Sequence, residues 1–454
     1  MLPRAFPIRD AIRAALLTAG LYALVVAAII YSGHISQRNF VDQNRFHLRA
    51  IFRFSDQWPR LDFSNYESAT TPGYHVTLAF LHVWLTSDLT ALRWFAMLFG
   101  VATVALLAFA LARRLPWPHA VVLAMPLAAS PYVMASGAYL LPDNSAWWLV
   151  LAIFLVALRP RVGTPTLIFS GVLLASLVLF RQIHLWAAGL VWVAAAAQVL
   201  TPADDDGWPA GRLAVPVLDF ARPLELVRRV LIAVVCTLPA FMIIAAFVRL
   251  WGGLAPPSFH AGRADPETNM ATPVAGFNLA TPGFILAILA FIAVPLLGYL
   301  WPVRRQLSPG LAALGAGVGF AIAAAPPSSW SLQAGRYSGL WNLARFAPQT
   351  TVLDRSLPII ALATVGGAVL AVVLALLSRR ERLIFAAALA GFVAAHTLGA
   401  LAWQRYFEPF VIMWATLAIA CIARRAGSRP PGWAALGPLA LTIVLTFAAW
   451  GSMA

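Results

Sequence analysis

The chain has 454 residues, of which 61% are hydrophobic and only 11% are charged. A soluble domain would carry about a quarter charged residues, so the composition excludes an ordinary soluble enzyme. The formal net charge of +15 comes from arginine alone. Because the arginines lie between apolar runs rather than in one patch, the charge indicates membrane topology and not nucleic-acid binding.

The first apolar run predicts a helix over 12–32, preceded by Arg4, Arg9 and Arg13. No small-residue cleavage signal follows this run, so we expect a retained membrane helix rather than a signal peptide. Positive residues favour the cytoplasmic side, which places the N-terminus inside and the loop that follows at residue 33 outside.

The next apolar run, 74–86, is short for a membrane span. If it spans, Arg113 and Arg114 lie outside. If it lies along the interface, the run 92–112 becomes the second span, and the two arginines are cytoplasmic, as the positive-inside rule favours. The arginine pattern downstream supports the interfacial helix.

The remaining apolar runs predict further spans. They are 118–137, 144–158, 164–180, 183–200, 229–250, 278–301, 309–326, 357–377, 383–401, 406–423 and 433–450. The alternate loops are short and rich in arginine, at 159–161, 228–230, 303–306, 378–382 and 424–429. The sequence therefore predicts an all-α polytopic membrane protein with about 13 transmembrane helices and an outer C-terminus.

Asp42 and Asp143 both fall on the predicted outer face and are candidates for a general base. Partial desolvation near the membrane is expected to raise the carboxylate pKa and strengthen such a base. Each residue also has a structural interpretation. Asp42 fits a solvated loop, and Asp143 fits an N-cap of the helix that follows it.

Three outer segments place arginine beside polar or aromatic residues. Arg181, Gln182 and His184 interrupt two apolar runs with almost no loop. Arg336–Tyr337 and Arg405–Tyr406 form two Arg-Tyr pairs. An arginine fork suits a phosphate, and neighbouring aromatics suit a sugar. The alternative is a snorkelling arginine within an ordinary aromatic belt.

No metal site is predicted. Asp204, Asp205 and Asp206 lie in a predicted cytoplasmic loop and fit a solvated turn. The spacing of His260, Asp265 and Glu267 in an outer loop is not typical of a metal site.

Several of these segments occur together in one known family. They are "DQNRFHLRAI" (42–51), "QWPRLDFSNYESATTPGYH" (57–75), "SPYVMASGAYLLPDN" (130–144), "FRQIHLW" (180–186), "LWGGL" (250–254), "GRYSGLW" (335–341) and "QRYFEPFVI" (404–412). The chain resembles GT-C glycosyltransferases, which use polyprenyl-phosphate sugars. Among them it is most similar to the dolichyl-phosphate-glucose α-1,2-glucosyltransferase family.

The resemblance implies a GT-C-type fold with a juxtamembrane helix in the first outer loop. It implies a single transmembrane domain, 1–454, in which 1–200 is the catalytic module with outer loop 33–91. Residues 201–454 would form a variable helical module with outer loops 251–277 and 327–356. No cofactor or metal is implied.

The resemblance also implies residue roles. Asp42 and Asp143 would be the catalytic acids, with His47 as a possible partner. From their residue types, Arg336, Tyr337, Arg405 and Arg181 are expected to bind the donor phosphate, and Gln182, His184 and Tyr406 are expected to position substrate. The family places adjacent acids before its Phe-His. Here Gln43 and Asn44 follow Asp42, and one extra residue precedes Phe46–His47.

The predicted function is therefore an inverting transfer of a hexose, expected to be glucose, from a polyprenyl phosphate. The acceptor would be a lipid-linked or cell-envelope glycan at the outer face of a bacterial plasma membrane. The alternative class is a transporter or flippase of lipid-linked saccharides. That class predicts internal repeats and polar residues at mid-membrane, whereas the candidates here cluster at one face.

Overall fold

The computed structural model describes residues 6–33, 37–201, 222–259, 276–347, 351–427 and 429–453. Asp204, Asp205, Asp206, His260, Asp265 and Glu267 lie outside these ranges. Within the described ranges the protein is almost wholly α-helical, with one two-stranded antiparallel hairpin.

The helices follow in chain order. They are α1 Ile8–Ser32, α2 Gln37–Asp42, α3 Leu48–Asp56, α4 Gly73–Trp84, α5 Leu89–Ala112, α6 Trp117–Ala128, α7 Pro131–Ala138, α8 Asp143–Ala157, α9 Thr164–Phe180, α10 Ala187–Leu200, α11 Pro223–Trp251, α12 Thr281–Ala293, α13 Pro309–Ala324, α14 Trp341–Phe346, α15 Leu357–Leu376, α16 Arg379–Thr397, α17 Glu408–Arg425 and α18 Leu436–Met453. The strands β1 Thr351–Val352 and β2 Arg355–Ser356 precede α15.

Shorter turns complete the path. A π-helical turn, Gln43–His47, joins α2 to α3. The 3₁₀ segments are Gln182–Trp186, Pro257–Phe259, Val294–Gln306, Gln404–Tyr406 and Gly432–Ala435.

Seven helical segments in the described part of the chain are long and apolar enough to cross a membrane, or eight if one bent pair counts as a span. Three shorter apolar helices, α8, α9 and α13, fall below that length. The protein is thus an all-α multi-pass membrane protein, as the sequence predicts. The count of about 13 spans is not confirmed.

Helix α4 corresponds to the short apolar run at 74–86. Its 12 residues extend about 18 Å at 1.5 Å per residue, which is less than the roughly 30 Å of a bilayer core. Phe80, Val83 and Trp84 are exposed along it. These features fit the helix lying along the interface with its apolar side chains facing lipid.

The single helix predicted over 118–137 is instead two helices, α6 and α7, which meet at an angle of 70°. Pro131 opens α7, and the Ser130 hydroxyl accepts a hydrogen bond from the Val133 amide. A proline ring removes a backbone donor and a serine cap starts a new helix, so the chain turns where a hydropathy plot shows only a continuous apolar run.

Helices α13 and α15 pack closely through small residues. A Cβ atom built on Gly315 would lie 2.4 Å from the Gly367 carbonyl oxygen, and one on Gly367 would lie 2.2 Å from the Gly315 carbonyl oxygen. Glycine at both positions therefore allows the backbones to meet, as in many membrane helix pairs.

Candidate active site

The π-helical turn Gln43–His47 places Asp42 and His47 side by side. Hydrogen bonds in such a turn run between residues five apart, and these two residues have that spacing. His47 Nε2 lies 4.0 Å from Asp42 Oδ1. The turn therefore brings His47 beside the carboxylate.

Gln43, the residue after Asp42, is fully buried. Its Oε1 accepts hydrogen bonds from Leu140 N at 3.2 Å and from Arg93 Nε at 3.3 Å. Its amide nitrogen donates to Asn44 Oδ1 at 3.0 Å. Gln43 therefore ties the π-turn to the segment that precedes α8, and Asp42 is left as the single carboxylate of this motif.

Asp42 is paired with a residue from the far end of the sequence. Arg405 Nη1 donates a hydrogen bond to Asp42 Oδ2 at 2.7 Å. Burial alone would raise the pKa of Asp42, but the charges of Arg405 and His47 and this hydrogen bond together lower the pKa below its usual value. The prediction of a raised pKa is thus wrong for the paired carboxylate, because the sequence did not reveal its arginine partner.

Asp143 forms the second carboxylate–arginine pair. Arg181 Nη1 donates a hydrogen bond to Asp143 Oδ1. Both side chains are nearly buried, at 11% exposure for Arg181 and 12% for Asp143. Asp143 is the first residue of α8 and makes no capping hydrogen bond, so the N-cap interpretation is wrong. The burial of Arg181 equally excludes a side chain that snorkels to solvent.

The Tyr406 ring lies near both arginines. The guanidinium carbon is 4.9 Å from the ring centroid for Arg405 and 5.2 Å for Arg181. Arg405 Nη2 also donates to the Tyr406 hydroxyl at 3.0 Å. The two arginine–carboxylate pairs therefore meet at one aromatic ring. The Nε atoms of Arg181 and Arg405 are buried without a hydrogen-bond partner among the described residues.

A second histidine extends the Asp42–His47 pair. His47 Nδ1 and His75 Nε2 are 3.0 Å apart, and the two rings stack at 5.2 Å. Burial is the largest cause that lowers the pKa of both imidazoles, so each carries one proton near neutral pH. With the His47 proton on Nε2, facing Asp42, His75 must donate to Nδ1. His75, at the start of α4, is a residue that the sequence reasoning did not select.

The side chain of Gln182 forms hydrogen bonds with three backbone groups of the protein. Its amide nitrogen donates to Ala69 O at 2.7 Å and to Leu254 O at 2.9 Å, and its oxygen accepts from Thr71 N at 3.0 Å. It therefore joins the loop before α4 to the segment that follows α11.

His184 lies deeper than Gln182, next to Trp147, with ring centroids 4.9 Å apart. Its exposure is 1%.

Arg336 and Tyr337 belong to neither ion pair. The backbone of Arg336 exchanges two hydrogen bonds with Ser331. Tyr337 contacts Trp403 edge-on at 5.8 Å, and Arg405 lies over Trp403 at 4.5 Å. Burial lowers the pKa of Arg336, and it makes no ion pair with any described carboxylate.

In the described ranges, no group of three or more His, Cys, Asp or Glu side chains is placed to bind a metal ion. No known protein family matches the chain, and no curated protein matches it. A solved structure to which it is similar is ArnT from Cupriavidus metallidurans in the apo state, at 16% identity. The match covers 89% of this chain and 76% of that one, with a TM-score of 0.29, too low to define a common fold.

The class that the structure itself defines is a multi-pass α-helical membrane protein with a paired-charge site. The two ion pairs join the first loop, the start of α8, the turn after α9 and the turn before α17.

Proposed function

We propose that the protein is an inverting GT-C glycosyltransferase that moves a hexose, expected to be glucose, from a polyprenyl phosphate. The acceptor would be a lipid-linked or cell-envelope glycan at the outer face of the membrane. The observation that carries the proposal is the convergence of the Asp42–Arg405 and Asp143–Arg181 pairs on Tyr406. This set combines an anion-binding fork with a carboxylate base at one point.

The two arginines suit the phosphate of the donor. A phosphate accepts several hydrogen bonds from guanidinium groups, and both arginines keep a buried Nε without a partner among the described residues. Arg336, half-buried without an ion pair to a described carboxylate, is a third candidate cation. Its neighbour Tyr337 contacts Trp403, over which Arg405 lies. These groups would stabilise the negative charge that grows on the leaving phosphate.

Phosphate binding would also change Asp42. The carboxylate is held at a low pKa by Arg405, against the opposing effect of burial. An anion that also binds Arg405 weakens the attraction between Arg405 and Asp42. The effect of burial then dominates and raises the pKa of Asp42. The donor would therefore convert a weakly basic carboxylate into a stronger base.

The chemical step follows from this arrangement. Asp42 takes the proton of an acceptor hydroxyl, whose oxygen attacks the anomeric carbon in line with the bond to phosphate oxygen. That bond breaks, its electron pair stays with the polyprenyl phosphate, and the anomeric configuration inverts. His47, 4.0 Å from Asp42 and fixed by His75, would orient the carboxylate.

The experiment uses the full chain in proteoliposomes with radiolabelled polyprenyl-phosphate glucose and a panel of glycan acceptors. A transferase consumes the donor, releases polyprenyl phosphate and forms a new glycoside. A transporter would move the intact donor between leaflets without consuming it. Intact donor together with leaflet movement would replace the proposal with the transporter class, and intact donor without movement would refute both.

A further inference from the structure

A cluster of imidazole and indole rings lies beside the charged pairs. We define the imidazole–indole cluster as Trp147, His184, Trp186, Phe392 and His396. His184 is central, with ring centroids 4.9 Å from Trp147 and 6.4 Å from both Trp186 and His396. Phe392 contacts His396 at 4.4 Å and closes the group.

The cluster contains polar nitrogens that nothing in the described chain satisfies. Both ring nitrogens of His184, Nε2 of His396 and Nε1 of Trp147 and Trp186 are buried without a hydrogen-bond partner among the described residues. His184 and His396 are only 1% and 4% exposed. A protein interior normally pairs such atoms, so a concentration of them in one place points to a ligand.

The position of the cluster ties it to the candidate active site. Trp147 follows Asp143 by four residues on α8, so it lies one turn further along the same face. His184 follows Arg181 by three residues. The His396 ring stacks toward Tyr406 at a centroid distance of 6.4 Å.

The backbone beside the cluster is irregular. Arg181 is extended, with φ −153° and ψ 108°, and the 3₁₀ turn Gln182–Trp186 separates α9 from α10. Non-helical backbone within a membrane protein is tolerated where it is buried in protein or lines a cavity.

We propose that the imidazole–indole cluster binds the hydroxyl groups of the sugar carried by the donor. The inference rests on the proposed function. Imidazole nitrogens accept or donate hydrogen bonds, indole nitrogens donate them, and the ring faces pack against the C–H face of a pyranose. The ligand is a neutral polyhydroxyl group rather than a second anion, because none of the five residues that define the cluster carries a fixed positive charge.

The test compares two lipids on the full-length protein in nanodiscs, polyprenyl phosphate and polyprenyl-phosphate glucose. The variants are His184→Phe and His396→Phe, which remove the nitrogens and keep an aromatic ring. The matched control is His82→Phe, half-buried on α4 outside the cluster. The wild type and the control should bind the glucosylated lipid about tenfold more tightly than the bare phosphate.

Each cluster variant should lose that preference, with unchanged affinity for the bare phosphate and no decrease in Tm. Retention of the preference in both variants would overturn the inference while leaving the proposed function intact. Loss of the preference only together with a lower Tm would also overturn it, because it would show that the rings are structural.

If neither lipid binds, the proposed function fails, and the cluster is judged by methyl glucosides in saturation-transfer NMR. A wild-type signal that His184→Phe abolishes would support the sugar site. Absence of a wild-type signal would contradict it.

Discussion

Arg405 donates a hydrogen bond to Asp42 at 2.7 Å, although the two residues are 363 positions apart in the sequence. The contact joins the end of α2 to the turn before α17. It makes the acidity of Asp42 depend on an arginine that the donor phosphate is proposed to share.

The pH dependence of turnover should report this contact. Because Asp42 must be ionised to act as a base and its pKa is lowered in the free protein, the acidic limb of kcat/KM for the wild type should lie below the usual aspartate pKa of about 3.9. In Arg405→Gln the main opposing charge is removed, burial raises the Asp42 pKa, and the acidic limb of kcat/KM for donor consumption should move to higher pH.

The control for that profile is Arg345→Gln, on the exposed side of α14 and away from Asp42. Its acidic limb should match the wild type. An unchanged limb in Arg405→Gln would show that Arg405 does not set the Asp42 pKa.

His75 is predicted to position His47. His75→Phe keeps an aromatic ring in the stack but removes the 3.0 Å contact to His47 Nδ1. Donor turnover should fall about tenfold, which is less than the roughly 100-fold or more that a general base contributes, because His75 acts only through His47. Donor affinity should be unchanged. The comparison is His82→Phe on the same helix, which should keep wild-type turnover. Equal turnover in the two variants would remove His75 from the mechanism.

Glu408 is predicted to support the turn that presents Arg405. Its two carboxylate oxygens accept hydrogen bonds from Ser130 at 2.7 Å and from Gln404 at 2.6 Å. Glu408→Ala leaves buried donors unpaired, which costs about 1–3 kcal/mol, so Tm should fall. Glu225→Ala, which breaks only exposed helix pairs with Arg228 and Arg229, should change Tm little. Similar Tm values would argue against a supporting role for Glu408.

The close packing of α13 against α15 can be tested with two glycine variants of α13. Gly315→Ala places a Cβ 2.4 Å from the Gly367 carbonyl oxygen, so the helices must separate and Tm should fall. Gly317→Ala, two residues away, meets nothing within 4 Å and should be neutral or slightly stabilising. Equal thermal shifts would show that the two helices do not pack as described.

Hydropathy and arginine placement alone predicted the helical membrane class and a common face for Asp42, Asp143, Arg181 and Arg405. They could not predict the pairing, because a contact across 363 residues leaves no local pattern. The predicted direction of the Asp42 pKa shift was wrong because it did not include the charge of Arg405.

The 70° bend between α6 and α7 and the π-turn after Asp42 were equally invisible to hydropathy. The bend depends on a capping serine and a proline, and the turn is held by the buried contacts of Gln43. His75 is the last residue of the "TTPGYH" stretch, which lies in one of the segments that carry the family resemblance. Only the fold shows that His75 lies against His47.

Asp42 is proposed to be the base of a sugar transfer from a polyprenyl phosphate. The most direct measurement is donor consumption by wild type, Asp42→Asn and Asp56→Asn in proteoliposomes with polyprenyl-phosphate glucose. Asp56 is an exposed aspartate at the end of α3 and serves as the matched control. Asp42→Asn should reduce turnover by about 100-fold or more. It should still bind polyprenyl phosphate, because Arg405 is then released from its carboxylate partner. Turnover by Asp42→Asn equal to that of Asp56→Asn would contradict the claim.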